Sequence, residues 1–458
     1  MKITKIELKD FHQFKDLTID LTYPKGHDKE GQPLDKVCFI GQSGTGKTSL
    51  LELIPKFLFD YDTNLTKNSY EDSLNNIICH IKFGKEYNYQ GKFIVRHILQ
   101  EEKSLLESLR SVHSHNFEEK YETKNRFIGL MYDLKFLEEW LSFSSSKMIY
   151  FPANLNYEIE VDAESKIEKN KIIDFSKEKI SSIWHLILDK IQSYQEQELQ
   201  IRQEISKTVE QASNNLDIIK LALKNLEDWK KTEFNPIQDI ADNCLNHLLE
   251  PFKLRVKTEL DIKSKDDLGF IKLEDYNANE IPNGLWSTGT KQVVLSAMPL
   301  YLLKPKHTII LFDEPERSLY PDLQRFVIDF YTSLTENCQF FYSTHSPIIA
   351  SNFEPWEIVE LKFDKEGHVY RELYYEGENH VDNYKYNPRY MRWDDILQRI
   401  FDMENDGSPL RKEKLDELAT YNVKYKKLTK QNKQETEEGV SILKEIQKLS
   451  KELSTWEN

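Results

Sequence analysis

Two stretches of this chain concentrate residues able to do chemistry on phosphates. In "GQSGTGKTS" (residues 41–49), Gly41, Gly44 and Gly46 precede Lys47 and Thr48. Glycine reaches backbone conformations closed to other residues, so such a loop turns its N–H groups toward an anion. A helix starting at Lys47 adds the positive end of its dipole. In that arrangement Lys47 bridges the β- and γ-phosphates of ATP and the Thr48 hydroxyl holds Mg²⁺. Gln42, Ser43, Thr45 and Ser49 complete the ATP-facing stretch. The loop lies between the apolar runs "VCFI" and "LLELI", the strand-to-helix context that the motif requires. In "IILFDEPE" (309–316) an apolar run ends in two carboxylates. Adjacent carboxylates repel each other and resist burial, costs that a divalent cation relieves. Asp313 is the expected Mg²⁺ ligand, and Glu314 the expected base that polarises the attacking water. The plain alternative is a strand that simply ends in acidic residues.

Shortly before that strand, "GLWSTGTKQVVLSAMPLYLL" carries Ser287, Gly289 and Gln292 in an S-x-G-x-x-Q spacing. Here the chain resembles the ABC-type ATPases, and within them the SMC-like branch. The resemblance implies that Ser287, Gly289 and Gln292 close over the γ-phosphate held by the loop of another subunit, so that heads dimerise around ATP. Trp286 stands where the family usually has leucine, which leaves the polar groups intact. It also places Ser318 and Leu319 of "PERSLYPDLQ" at the dimer seam. His345 of "STHSP" becomes the switch that senses the γ-phosphate; by itself a histidine at a strand end reads as structural. At the N-terminus, "ITKIELKDFHQFKDLTIDL" resembles the opening strands of RecF, SMC and OLD-type proteins. Phe11, His12 and Phe14 are then candidates to flank the adenine, with burial in the small sheet the equal alternative. Gln90 and Gln100 both stand near a strand end as candidate glutamine-loop residues.

Elements that position these groups are legible in the pattern. "KITKIEL" and "LTIDL" alternate with period two, and "VCFI", "HTIILFDE" and "CQFFYSTHS" read as buried strands. Residues 167–234 contain neither Pro nor Gly, and Ile191, Tyr194, Ile201 and Ile205 keep a three-four spacing. Ala212, Leu216, Ile219, Leu223 and Leu226 repeat it in a shifted frame, the shift falling near "ASNN". A helical hairpin and one continuous rod both fit, as does a plain helical subdomain. The expected fold is α/β: an ABC-type P-loop NTPase head built from N- and C-terminal lobes, with a short coiled-coil-like insertion and a C-terminal helical extension. The boundaries are 1–160 for the N-terminal lobe, 161–250 for the insertion, 251–383 for the C-terminal lobe and 384–458 for the helical tail.

Composition narrows the function. The chain has 458 residues, 39% of them hydrophobic, which suffices for packed cores. Four cysteines without a CxxC pair indicate neither a disulfide framework nor a zinc hook. The opening "MKITKIELKDF" lacks an apolar signal core and no long apolar run follows, so cytoplasmic placement without a membrane partner is expected. A net charge of −15 argues against a surface that is basic all over, leaving DNA binding to a local groove. "DEPExxLxP", "STHSP" and residues 391–418 resemble the RecF/OLD-like ATPases of bacterial anti-phage systems, such as the ATPase subunits of Septu and PARIS. That resemblance implies a Mg²⁺-dependent ATPase forming a homodimer or higher oligomer and working with a separate nuclease of HNH or TOPRIM type. No nuclease site is recognised within the chain. A RecF-like DNA-repair clamp and an ATP-binding scaffold with little turnover are the alternatives.

Overall fold

The computed structural model of the chain describes residues 2–59, 77–83, 89–94, 122–123, 126–127, 148–155, 170, 172–179, 183–211, 216–259, 270–372, 387–401, 403 and 407–453. The strands in chain order are β1 (Lys2–Phe11), β2 (Phe14–Asp20), β3 (Lys36–Gly41), β4 (Ile77–Phe83), β5 (Tyr89–Ile94), β6 (Glu122–Thr123), β7 (Arg126–Phe127), β8 (Met148–Phe151) and β9 (Ile172–Asp174). They continue with β10 (Leu254–Val256), β11 (Leu273–Asp275), β12 (Glu280–Ile281), β13 (Ile309–Asp313), β14 (Gln339–Ser343), β15 (Ile358–Phe363) and β16 (Val369–Arg371).

One large sheet has the order β5-β4-β1-β2-β16-β15-β3-β14-β13-β8-β9. Its two sides differ for a reason written in the side chains. In β3, β13 and β14 nearly every residue is buried, as both faces of a parallel strand demand, and these strands pair in parallel. β2 alternates buried and exposed residues and pairs antiparallel with β1, one face meeting solvent. Strands from the two ends of the chain interleave, because β15 and β16 stand between β2 and β3. The buried Gln339 secures the join: its amide donates to the carbonyls of Ile3 and Leu34 at 2.9 Å each, and its oxygen accepts from the Ile3 N–H at 2.6 Å. The expected two-lobed α/β P-loop head is therefore observed as one continuous sheet.

The helices that concern the site are α1 (Lys47–Phe59), α2 (His185–Gln211), α3 (Leu216–Thr232), α4 (Thr288–Leu303) and α5 (Val327–Ser333). α2 and α3 pack as a hairpin, which decides between hairpin and rod. Tyr194 stacks on Trp229 at 5.0 Å, and Glu198 pairs with Lys230 at 3.0 Å. α4 is buried from Gly289 to Leu300 apart from Lys291, consistent with a helix that is apolar nearly all round. Cys38, Cys244 and Cys338 are free and buried.

Residues Met1–Tyr390 and Met391–Asn458 form two compact units. In the second, α6 (Trp393–Arg399) precedes α7 (Pro409–Lys430) and α8 (Glu437–Leu453). α7 opens with Ser408 accepting from the Arg411 N–H and Pro409 in the first turn. It pairs with α8 through Lys414–Glu452 and through Arg411 donating to the Leu453 carbonyl at 3.2 Å. Among the described residues no helix is long and apolar enough to cross a membrane.

Candidate active site

Because β3, β14 and β13 are parallel neighbours, their C-terminal ends open on the same edge of the sheet, where α/β folds carry their ligands. β3 ends at Gly41, β13 at Asp313 and β14 at Ser343, so the phosphate loop, the acidic pair and the His345 turn converge. Gly41, Gly44 and Gly46 all have positive φ, and a Cβ on Gly41 would land on the Leu361 carbonyl. At Gly46 a Cβ would strike Gln13 and Phe14. The loop is thus a main-chain cradle that side chains would fill. Gln42, Ser43 and Gly44 are exposed on it, while Thr45 is buried and closes the turn by donating to the Gln42 carbonyl at 2.8 Å.

Lys47 opens α1 and lies buried under the loop, its ammonium donating to the carbonyls of Gly41 at 2.9 Å and Gln42 at 3.0 Å. Burial lowers its pKa to about 8 against the opposing pull of Glu314, Asp313 and Glu316. The Thr48 hydroxyl donates to Asp313 at 2.9 Å, and the Ser343 hydroxyl bonds the same carboxylate. Burial raises the Asp313 pKa, the two hydroxyls oppose that shift, and Glu314 and Glu52 reinforce it. Two hydroxyls around one carboxylate make an all-oxygen donor set, the chemistry that Mg²⁺ prefers. Ser49 is exposed one residue further along the helix.

Glu314 takes a left-handed backbone with φ of 48°, a conformation costing a non-glycine residue about 1–2 kcal/mol. The kink separates it from Asp313, and its carboxylate lies 3.9 Å from His345 Nε2. Partial burial lowers the His345 pKa, helped by Lys47 and opposed by Glu314. The carboxyl group of Glu316 is buried beside this pair. Its Oε1 accepts from Thr344 at 2.5 Å and from the His345 N–H at 3.2 Å, while Oε2 is buried without a hydrogen bond. Burial raises its pKa to about 7.

The Ser287 turn has a different character. Ser287 caps α4, accepting from the Thr290 N–H at 3.1 Å, and both Ser287 and Thr288 are exposed. Gly289 is pressed against the loop that follows Glu314: a Cβ there would stand 2.6 Å from the Ser318 carbonyl. Ser318 itself has φ of 64°. Leu285 and Tyr320 leave 74% and 71% of their surface in solvent on either side of this junction. Gln292, expected to face ATP, is 2% exposed within the packed side of α4. It lies five residues, about one and a half helical turns, beyond Ser287, which places it on the face of α4 that the protein body covers. Phe11 and Phe14 belong to the hydrophobic core, which resolves their ambiguity in favour of packing, while His12 is exposed. Gln90 lies on β5, whose side chains are not described, and Gln100 falls outside the described residues.

Ser343 and Glu316 escaped the sequence reading. Both stand inside motifs already singled out, "STHSP" and "DEPE", but their partners come from another strand, and only the parallel register of β13 and β14 pairs Asp313 with Ser343.

A family model described as AAA ATPase domain matches residues 1–350. No curated protein matches significantly. Among solved structures, a SmcHead bound to the C-winged helix domain of ScpA is 12% identical, covering 81% of this chain and 97% of that one, with a TM-score of 0.40. A Smc head domain with an extended coiled coil, bound to the C-terminal domain of ScpA and derived from Pyrococcus furiosus, is 13% identical over 81% of this chain and 95% of that one, with a TM-score of 0.35.

Proposed function

The chain belongs to the AAA ATPase domain family, and from that premise we propose that it is a Mg²⁺-dependent ATPase whose heads dimerise around ATP and thereby control a separately encoded nuclease. The observation that carries the dimer is the outward-facing Ser287 turn. Ser287 and Thr288 are exposed at the N-terminus of α4, near the largely exposed Leu285 and Tyr320, and the Ser287 hydroxyl, which caps the helix by bonding the Thr290 N–H and hydroxyl, lies at a surface suited to a second copy. Ser287 would meet the γ-phosphate held by the other head, while Gly289, buried against the Ser318 carbonyl, lets α4 approach that loop closely and the buried Gln292 would hold α4 in place.

Within one head, the loop N–H groups and Lys47 bind the phosphates and take up charge that develops as the γ-phosphoryl departs. Mg²⁺, for which Thr48 and Asp313 supply fitting oxygen donors, adds charge neutralisation when bound. Glu314 accepts the proton of the attacking water. His345 would offer a ring N–H donor to the γ-phosphate, and Glu316 fixes the backbone from which it does so by accepting from the His345 N–H. ATP touches both heads only when they are closed, so it stabilises that state selectively.

The nuclease partner and a role in anti-phage defence rest on the resemblance of "DEPExxLxP" and "STHSP" to RecF/OLD-like ATPases, and the unit Met391–Asn458 is the proposed docking element. Glu314→Gln is expected to bind ATP, lose about a hundredfold or more in hydrolysis, and accumulate as a dimer seen by light scattering. Unchanged hydrolysis, or an oligomeric state indifferent to ATP, sinks the proposal. Recovery from the native host without a nuclease at near-stoichiometric yield removes the partner, and ATP-dependent DNA binding in its place supports a repair clamp.

A further inference from the structure

We infer that Phe363 is the stacking surface for the nucleotide base, a role that rests on the phosphate-loop reading above. The loop has two flanks in the sheet. On one, β14 and β13 bring Ser343, Asp313, Glu314 and His345. The metal-binding oxygens and the proton acceptor belong at the γ-phosphate, so that end of the triphosphate lies on this flank. The ribose and base must then leave over the other, which is formed by β15.

On that flank the chain is unusually close. Leu361 pairs with Gly41, and Phe363, two residues on, brings its Cζ to 3.7 Å from where a Cβ on Gly44 would stand. The residues of β15 before it pack inward, with Ile358, Val359 and Leu361 buried, yet Phe363 is 39% exposed. A benzyl ring left at the rim of a phosphate loop gains little from burial and offers a flat apolar face of the kind on which bases stack. The opposite wall is the turn between β1 and β2. There Gln13 lies over Gly46, and its carbonyl accepts from the Val369 N–H at 2.7 Å, so the turn and the β15–β16 hairpin are tied together. Asp364 stiffens that hairpin by accepting from the N–H groups of Glu366 and His368 at 2.9 and 2.8 Å. Phe11 and Phe14 are buried in the core, whereas Phe363 leaves a ring face open beside the loop, and the exposed His12 stands on the opposite turn.

The test compares ATP with inorganic tripolyphosphate, which has the phosphates and lacks the base. Calorimetric titration of the full chain is expected to show Phe363→Ala weakening ATP about tenfold while tripolyphosphate binds as before. Phe363→Trp should restore ATP affinity and show indole quenching beyond that of the wild type on adding ATP but not tripolyphosphate. ATP affinity unchanged in Phe363→Ala, or equal loss of both ligands in both variants, overturns the assignment of Phe363 alone. A wild-type chain that binds neither ligand overturns the phosphate-loop reading and this assignment with it.

Discussion

The Asp313 pocket and the Ser287 turn stand at opposite extremes of self-sufficiency. In the pocket, Lys47 donates to the loop carbonyls and Asp313 accepts from the Thr48 and Ser343 hydroxyls, so these charged groups have hydrogen-bond partners inside one chain. At the turn, Ser287 and Thr288 face solvent beside two largely exposed apolar side chains. Buried charge without partners is costly, so a catalytic pocket must be built before substrate arrives. A surface that completes a site in another molecule has the opposite requirement and must remain open. On the proposed function, one region would be a preorganised half-site and the other its complement.

The sharpest way to break this contrast is to damage each region separately. Lys47→Ala is expected to lower ATP affinity about a hundredfold or more, since a charge-assisted contact is lost and the loop carbonyls lose their buried donor. Ser287→Arg should leave ATP binding by the isolated head nearly unchanged, yet reduce turnover at least tenfold by placing bulk and charge in the proposed seam. Mixing the two variants tests the geometry. A mixed dimer pairs the intact loop of one chain with the intact turn of the other, so hydrolysis should return to about a quarter of the wild-type rate. No recovery on mixing would show that the site is completed within one chain.

A smaller effect sharpens the account of the pocket itself. Folded Glu316 keeps its proton to about pH 7, whereas its ordinary value is 4.5. The folded state therefore binds more protons in that window, and the associated stability is fully present below about pH 4.5 and lost as pH rises through 7. Glu357 is raised to about 7 by burial as well and acts in the same direction. Glu316→Gln keeps an oxygen for Thr344 and the His345 N–H, so it should flatten, without abolishing, the fall of melting temperature between pH 5 and 8. An unchanged slope would show that Glu316 is not the titrating group.

Residue type carried the chemistry further than it carried the contacts. Glycine spacing before Lys47 announced a phosphate cradle because few backbones tolerate positive φ at three nearby positions, and the structure finds Gly41, Gly44 and Gly46 there. The buried strands ending at Gly41, Asp313 and Ser343 were equally visible as apolar runs. The hairpin of α2 and α3 was not decided by its pattern, because the same three-four spacing serves a rod; Tyr194 against Trp229 decides it. Gln292 shows the limit of a motif, since spacing fixes its distance along a helix but not which side of that helix the body of the protein covers.

By itself the sequence determined which groups can hold a triphosphate and a divalent cation, because glycine, lysine, hydroxyl and carboxylate chemistry is local. Only the tertiary structure decided which of them meet. Ser343 reaches Asp313 through strand register, Glu316 reaches His345 through the loop that follows β13, and Phe363 reaches the phosphate loop through a strand inserted from the C-terminal half of the chain. Those pairings join residues about 30 to more than 300 positions apart, and they are set by sheet order, a property of the whole fold and not of any stretch within it.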